Sequence, residues 1–230
     1  MNDPNLHLLE AAVKLLRPLL DELVFVGGCA TGLLITDQAA VGIRPTKDVD
    51  TITEVGSYAE YAKLSERLRA VGLTEDHEEG APICRWKRGD LIIDVMPTDE
   101  RILGFSNRWY APALESAQYM EIAGLGLRVV TAVHFLAMKL EAFHGRGKDD
   151  VMVSHDLEDL VTVIDGRHEI FAELRGAAPA VRLYIASQLR QLLARRAFID
   201  ALPGFLLPDS ASQGRSLLLL DRLAAMAALE

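Results

Sequence analysis

The sequence predicts an α+β protein: a small mixed β-sheet domain with helices over residues 1–126, followed by a helical C-terminal domain over 127–230. Three observations predict it. Short β-favouring runs alternate with helical spacing in the first half, whereas strand signals largely vanish after Thr131. A composition shift falls at Gly124 to Val130, between the two regimes. Half of the 230 positions are apolar, enough to bury a full-sized core.

The elements follow in order. Asn5 to Leu20 carries apolar residues at helical spacing (Leu8, Leu9, Ala12, Leu15, Leu16, Leu19), with Asp3-Pro4 as its cap. Leu23 to Val26 reads as a short strand that stops at Gly27-Gly28, and a helix over Ala30 to Ile35 leaves that turn. Asp48 to Thr53 alternates charged or hydroxyl residues with apolar ones, the pattern of a strand with one polar face. Tyr58 to Val71 is helical in pattern. Ile83 to Trp86 and Leu91 to Met96 read as a hairpin turning at Arg88-Gly89-Asp90. Helices are expected over Val133 to Phe143, Asp156 to Ile164, Pro179 to Leu202 and Ser212 to Leu229.

Composition narrows the function classes. No long uncharged apolar run and no basic, apolar leader occurs, so the expected address is the cytoplasm with no membrane partner. Two cysteines, Cys29 and Cys84, with no CxxC, fit reduced thiols better than a disulfide framework or a zinc site. A net charge of −9 argues against nonspecific, charge-driven binding of nucleic acid by the molecule as a whole. No GxSxG, HExxH or GxxxxGK[ST] sequence is present, which argues against the corresponding hydrolase, zincin and P-loop chemistries.

Asp48 and Asp50 are two apart, so a strand puts both carboxylates on one face. Carboxylates held that close repel unless a cation bridges them. Asp94 lies on the second strand of the hairpin, and if that strand lies beside the first, a third carboxylate joins the pair. Three acids on adjacent strands suit two-metal phosphoryl transfer, with the third as metal ligand or general base. The plainer alternative makes Asp48 a turn cap, Asp50 a solvated strand residue and Asp94 a strand end. Gly27-Gly28, between a strand and a helix, lets backbone N–H groups approach phosphate oxygens closely.

Val26-Gly27-Gly28-Cys29-Ala30 together with Arg44-Pro45-Thr46-Lys47-Asp48-Val49-Asp50 resembles the DNA polymerase beta-type nucleotidyltransferase superfamily, in particular its AbiEii/AbiGii toxin-like branch. That branch shows a Gly-Gly turn, an Arg-x-Thr-x-Asp-x-Asp segment, a later helical Lys and an Asp-x-x-Asp pair. Arg44, Thr46, Asp48 and Asp50 match the second element, Lys139 the third, and Asp156 and Asp159 the fourth. The resemblance implies transfer of a nucleoside monophosphate from a triphosphate to a hydroxyl, with Mg²⁺ as cofactor, two ions, and Mn²⁺ as the substitute. Asp48, Asp50 and Asp94 would hold metal, Lys139 would neutralise a phosphate, and Asp156 or Asp159 would orient that lysine or a donor on the substrate. Thr46 would donate to a phosphate or cap a turn; Arg44 would pair with a phosphate or form a structural ion pair. Cys29 stands where many relatives carry Ser or Thr, and Thr31 is the candidate to supply that hydroxyl.

The implied partners are a nucleoside triphosphate and an acceptor: RNA such as a tRNA end, a protein, or a small molecule. A toxin role would add an antitoxin protein. The alternative is a catalytically degenerate nucleotide- or protein-binding module on the same fold. His144 and His155 with Asp149, Asp150 and Asp156 match no standard metal-ligand spacing, and Arg190, Arg195 and Arg196 read as a solvated helix face.

Overall fold

A computed structural model describes residues 3–37, 42–145 and 150–230. It divides into a sheet unit, residues 3–32 and 45–131, and a helical unit formed by the described residues of 33–44 and 132–230.

The sheet unit opens with α1 (Leu6–Leu15), which buries Leu9, Ala12 and Val13. The helical spacing runs on to Leu20, but α1 stops at Leu15 and a 3₁₀ turn, Arg17–Leu19, follows. Pro18, which has no N–H to donate, accounts for the change. Asp3 does not cap the helix; its carboxylate accepts from the Asn5 N–H at 2.8 Å. Next come β1 (Leu23–Val26), α2 (Gly27–Leu34), β2 (Asp48–Thr53) and α3 (Tyr58–Ala70). The Ser57 side chain caps α3 by accepting from the Glu60 N–H. β3 (Thr74–Glu75), β4 (Arg85–Arg88) and β5 (Leu91–Pro97) follow, then α4 (Glu100–Leu103), α5 (Tyr110–Glu115), β6 (Gln118–Ile122) and β7 (Leu125–Val129).

The strands form a mixed sheet in the order β3-β4-β5-β2-β1-β7-β6. β2 runs parallel to β5 and β1 parallel to β7, and the remaining neighbours are antiparallel. β1 is wholly buried, as a central strand with apolar residues on both faces should be. α1 packs on β2, β5 and β7, and Val49, Ile93 and Trp86 are buried.

The helical unit comprises α6 (Ala132–Gly145), α7 (His155–Gly166), α8 (Ile170–Gly176), α9 (Pro179–Leu193), α10 (Arg196–Ala201), α11 (Ser210–Gly214) and α12 (Ser216–Ala227). Phe135, Leu136 and Leu140 of α6, Leu157 and Leu160 of α7, Leu189 of α9 and Leu219 and Leu223 of α12 are fully buried. The single helix expected over 179–202 is two helices, broken at Ala194–Arg195. The division also differs from a cut at 126/127. β7 belongs to the sheet because it pairs with both β1 and β6, which moves the change of unit to 131/132. Residues 33–44 go with the helices: the Thr36 and Asp37 N–H groups donate to the Gly166 carbonyl at 2.9 Å, and Arg167 donates to the Leu34 carbonyl at 2.8 Å. Among the described residues, no helix is long and apolar enough to cross a membrane.

Candidate active site

Asp48 and Asp50 lie on β2 in the i, i+2 relation that puts both on one face. β2 and β5 run parallel in the register Asp50↔Asp94, so Asp94 projects from the same face beside Asp50. Across the β4–β5 hairpin Asp94 is paired with Arg85, which brings a cation to that face. Arg85 Nε and Nη2 donate to the two Asp94 carboxylate oxygens, each at 2.8 Å, and Nη2 also donates to Asp48 Oδ2 at 2.7 Å. The Asp94 hydrogen bonds, with the Asp94 and Asp48 charges, raise the proton affinity of the guanidinium further above its ordinary value. The other Asp48 oxygen accepts from the Thr46 hydroxyl at 2.9 Å, and the Thr46 N–H donates to the Asn5 side chain at 2.8 Å.

Asp50 is supported differently. Gly27, the first residue of α2, has φ +68°, and a Cβ placed there would lie 2.7 Å from the Asp50 Cβ and closer still to its Oδ2. Glycine is therefore required twice over: for the left-handed backbone and for the close approach of the carboxylate. An acid at the start of a helix also meets the positive end of the helix dipole. Gly28 is the next residue of α2 and is buried. Cys29 is buried and donates its thiol to the Val26 carbonyl at 3.3 Å. Thr31 is 1% exposed, and its hydroxyl has no hydrogen-bond partner among the described residues.

A second charged cluster lies in the helical unit. Lys139 on α6 donates to Asp159 at 2.6 Å and to Asp156 at 3.4 Å, both on the first turns of α7. Arg44 joins it, with Nη2 at 3.3 Å from the same Asp159 oxygen and Nε at 3.6 Å from Glu158. The lysine also sits 5.6 Å from the Phe135 ring centroid, one helical turn back on α6. Ser154 caps α7, accepting from the Leu157 N–H, and sets Asp156 and Glu158 in the first turn, where acids are favoured.

The structure thus gathers Asp48, Asp50, Asp94, Thr46 and Gly27 in the sheet unit and Lys139, Asp156, Asp159 and Arg44 in the helical unit. The Arg-x-Thr segment is divided between them: Arg44 faces acids on α7, whereas Thr46 faces Asp48. The residue missed by sequence reasoning is Arg85. Its signal was present, because a two-residue turn at Gly89-Asp90 fixes Arg88 opposite Leu91 and, three residues back on each strand, Arg85 opposite Asp94. Among the described residues no three His, Cys, Asp or Glu side chains are grouped as a metal site. His155 pairs with Glu158 at 3.3 Å, and the imidazole of His144 stacks edge-on with Phe143. Asp149 lies outside the described residues. Arg190 donates to the Ala227 carbonyl at 2.8 Å, and Arg196 pairs with Asp200 at 2.9 Å.

Both cysteines are buried, and burial, with the Asp94 charge second, pushes the Cys84 thiol up to about 12. Thiolate, the reactive form, is therefore scarce at neutral pH. Neither thiol is expected to react with a chromogenic disulfide reagent at pH 8 in the native protein, and both should react in denaturant. Rapid labelling of Cys84 in the native state would contradict this placement.

The fold is nucleotidyltransferase-like. It is similar to the crystal structure of an antigenic nucleotidyltransferase-like protein from Paracoccidioides brasiliensis, with a TM-score of 0.50 and 17% identity over 90% of this chain and 96% of that chain. No family model matches the sequence, and no curated protein matches it.

Proposed function

We propose that the chain is a nucleotidyltransferase of the AbiEii-like branch, which moves a nucleoside monophosphate from a nucleoside triphosphate to a hydroxyl acceptor. The observation that carries this reading is the Asp50↔Asp94 register, which with Asp48 puts three carboxylates on one sheet face beside the glycine-opened start of α2. In the reaction the acceptor oxygen bonds to the α-phosphorus, the bond to pyrophosphate breaks, and the acceptor's proton passes to solvent or a carboxylate.

Asp48 and Asp50 suit Mg²⁺, since both present hard carboxylate oxygens two residues apart on one face. Asp94 suits it less in the arrangement described, because the Arg85 guanidinium holds both of its oxygens, whereas Asp48 meets the guanidinium through one oxygen and the neutral Thr46 hydroxyl through the other. Bound Mg²⁺ supplies charge neutralisation at the triphosphate and lowers the proton affinity of the attacking hydroxyl. Gly27 and Gly28 open α2, whose first N–H groups have no intrahelical acceptor and are the donors assigned to phosphate oxygens. Lys139 is assigned a phosphate oxygen, with Asp156 and Asp159 orienting its ammonium. Arg44 and Thr46 take the structural roles their partners favour: Arg44 braces the α7 acids and Thr46 fixes the Asp48 rotamer. Thr31, buried in α2, has no role in this scheme.

The acceptor is RNA such as a tRNA end, a protein side chain or a small molecule, and a toxin role would be read as growth arrest on expression that Asp48→Ala relieves. The test is incubation of the protein with each α-labelled nucleoside triphosphate, Mg²⁺ and total cellular RNA, beside an Asp48→Asn/Asp50→Asn control. Label is expected in RNA or in protein only with the intact pair, with a loss of at least about 10²-fold in the control. A second reading, a nucleotide-binding module without turnover, is favoured by the engagement of Asp94 with Arg85. It predicts Mg²⁺-dependent nucleotide binding with neither label transfer nor pyrophosphate release. Loss of nucleotide binding altogether would remove both readings.

A further inference from the structure

Two of the three carboxylates of the sheet face, Asp48 and Asp94, are bridged, and the bridge is Arg85. Nη2 is within 2.8 Å of both Asp48 and Asp94, so one unit of positive charge already stands between two acids that lie on different strands. The placement is built into the sheet, because Arg85 is the cross-strand partner of Asp94 and only 21% of its side chain is exposed. A guanidinium is planar and permanently charged, and here it meets Asp94 through two parallel N–H groups. None of these contacts uses Nη1, which keeps its donors for a further oxygen.

We propose that Arg85 stands in the place of one of the two divalent ions, so that this site takes a single ion, on Asp48 and Asp50. The proposal rests on the nucleotidyltransferase reading and refines its metal requirement. Arg85 brings a fixed positive charge to Asp48 and Asp94, and one divalent ion on Asp48 and Asp50 adds two more to the same face. A second ion seated on Asp94 would have to expel a bidentate guanidinium at close range, exchanging one satisfied cation for another with the cost of desolvating both. Asp94 becomes a positioning residue: it aims Arg85, whose Nη1 donors face a phosphate oxygen of the substrate. The arginine thereby supplies the fixed charge that a second ion supplies in two-metal sites.

The distinguishing measurement is the number of ions bound, counted from the paramagnetic resonance of unbound Mn²⁺ in titrations of the full chain at constant ionic strength. Wild-type protein is expected to bind one Mn²⁺. Arg85→Gln, which frees Asp94, is expected to bind two, and Arg85→Lys, which keeps the charge, one. Thermal unfolding of each variant checks that the count refers to folded protein, and Arg85→Lys carries the comparison if the glutamine variant does not fold: a count of two in it overturns the proposal. Two ions on the wild type, or no added ion on a folded Arg85→Gln protein, likewise overturn the role of Arg85 and leave the transferase reading standing. No ion on any of the three proteins overturns the metal assignment to Asp48 and Asp50, and this proposal with it.

Discussion

On the proposed transferase reading, alanine at Gly27 is expected to lower nucleotide transfer by at least about 10²-fold, because it displaces by roughly an ångström the Asp50 carboxylate to which that reading assigns the metal. The added methyl would overlap the Asp50 side chain, with its Cβ at 2.7 Å and its Cγ at 2.6 Å. It would also hold an L-residue at φ +68°. The backbone term costs about 1–2 kcal/mol, and an off-rotamer aspartate adds about 1 kcal/mol. Denaturant unfolding should therefore show a loss of roughly 2–3 kcal/mol alongside the lost transfer. A Gly27→Ala protein with wild-type midpoint and wild-type transfer would mean that Asp50 does not rest on this residue.

The largest stability effect is expected at Lys139. Asp156 and Asp159 keep only 5% and 2% of their side-chain surface exposed, and Lys139, itself at 12%, is in contact with both. Methionine in its place preserves the apolar stem but removes the charge, leaving two acids with Arg44 as the cation in contact with Asp159. Breaking a buried pair in this way costs about 3–5 kcal/mol, and the remaining arginine puts the expectation near about 3 kcal/mol at pH 7. Adding Asp159→Asn to Lys139→Met should recover part of the loss, since the charge left behind goes too. A Lys139→Met protein within about 0.5 kcal/mol of the parent would show that the cluster is not a stability element.

How far the sequence could be read depended on whether the determining physics was local. β2 was readable at its observed ends, Asp48–Thr53, because period-two alternation is a property of the segment itself. The β4–β5 hairpin was readable from Gly89-Asp90, where only Gly89, at φ +59°, needs a left-handed backbone. The β6–β7 hairpin was not, because its turn puts Ala123 at φ +52° before Gly124, and alanine is no signal for that conformation. The break in the helix after Leu193 has no glycine or proline to announce it. For the candidate site, Asp48 and Asp50 were read from spacing, Asp94 only on the condition that its strand lies beside theirs, and Asp156 and Asp159 from the resemblance, whereas Arg85 required carrying the hairpin register through to side-chain partners. The partition of Arg44 from Thr46 depends on tertiary contacts that no local pattern encodes.

The route of the chain carries a further consequence for how this protein could be taken apart or rebuilt. Residues 33–44 belong with the helices yet are encoded between β1 and β2 of the sheet. No single break in the gene separates the two units: stopping after Thr131 leaves Leu34 and Thr36 without Arg167 and Gly166, and starting at Ala132 strips α7 and the loop after it of those same contacts. Exchange of one half for another by end-to-end recombination would therefore damage both. The architecture should be inherited whole, and engineers seeking an isolated sheet unit would need to replace 33–44 with a short linker rather than truncate.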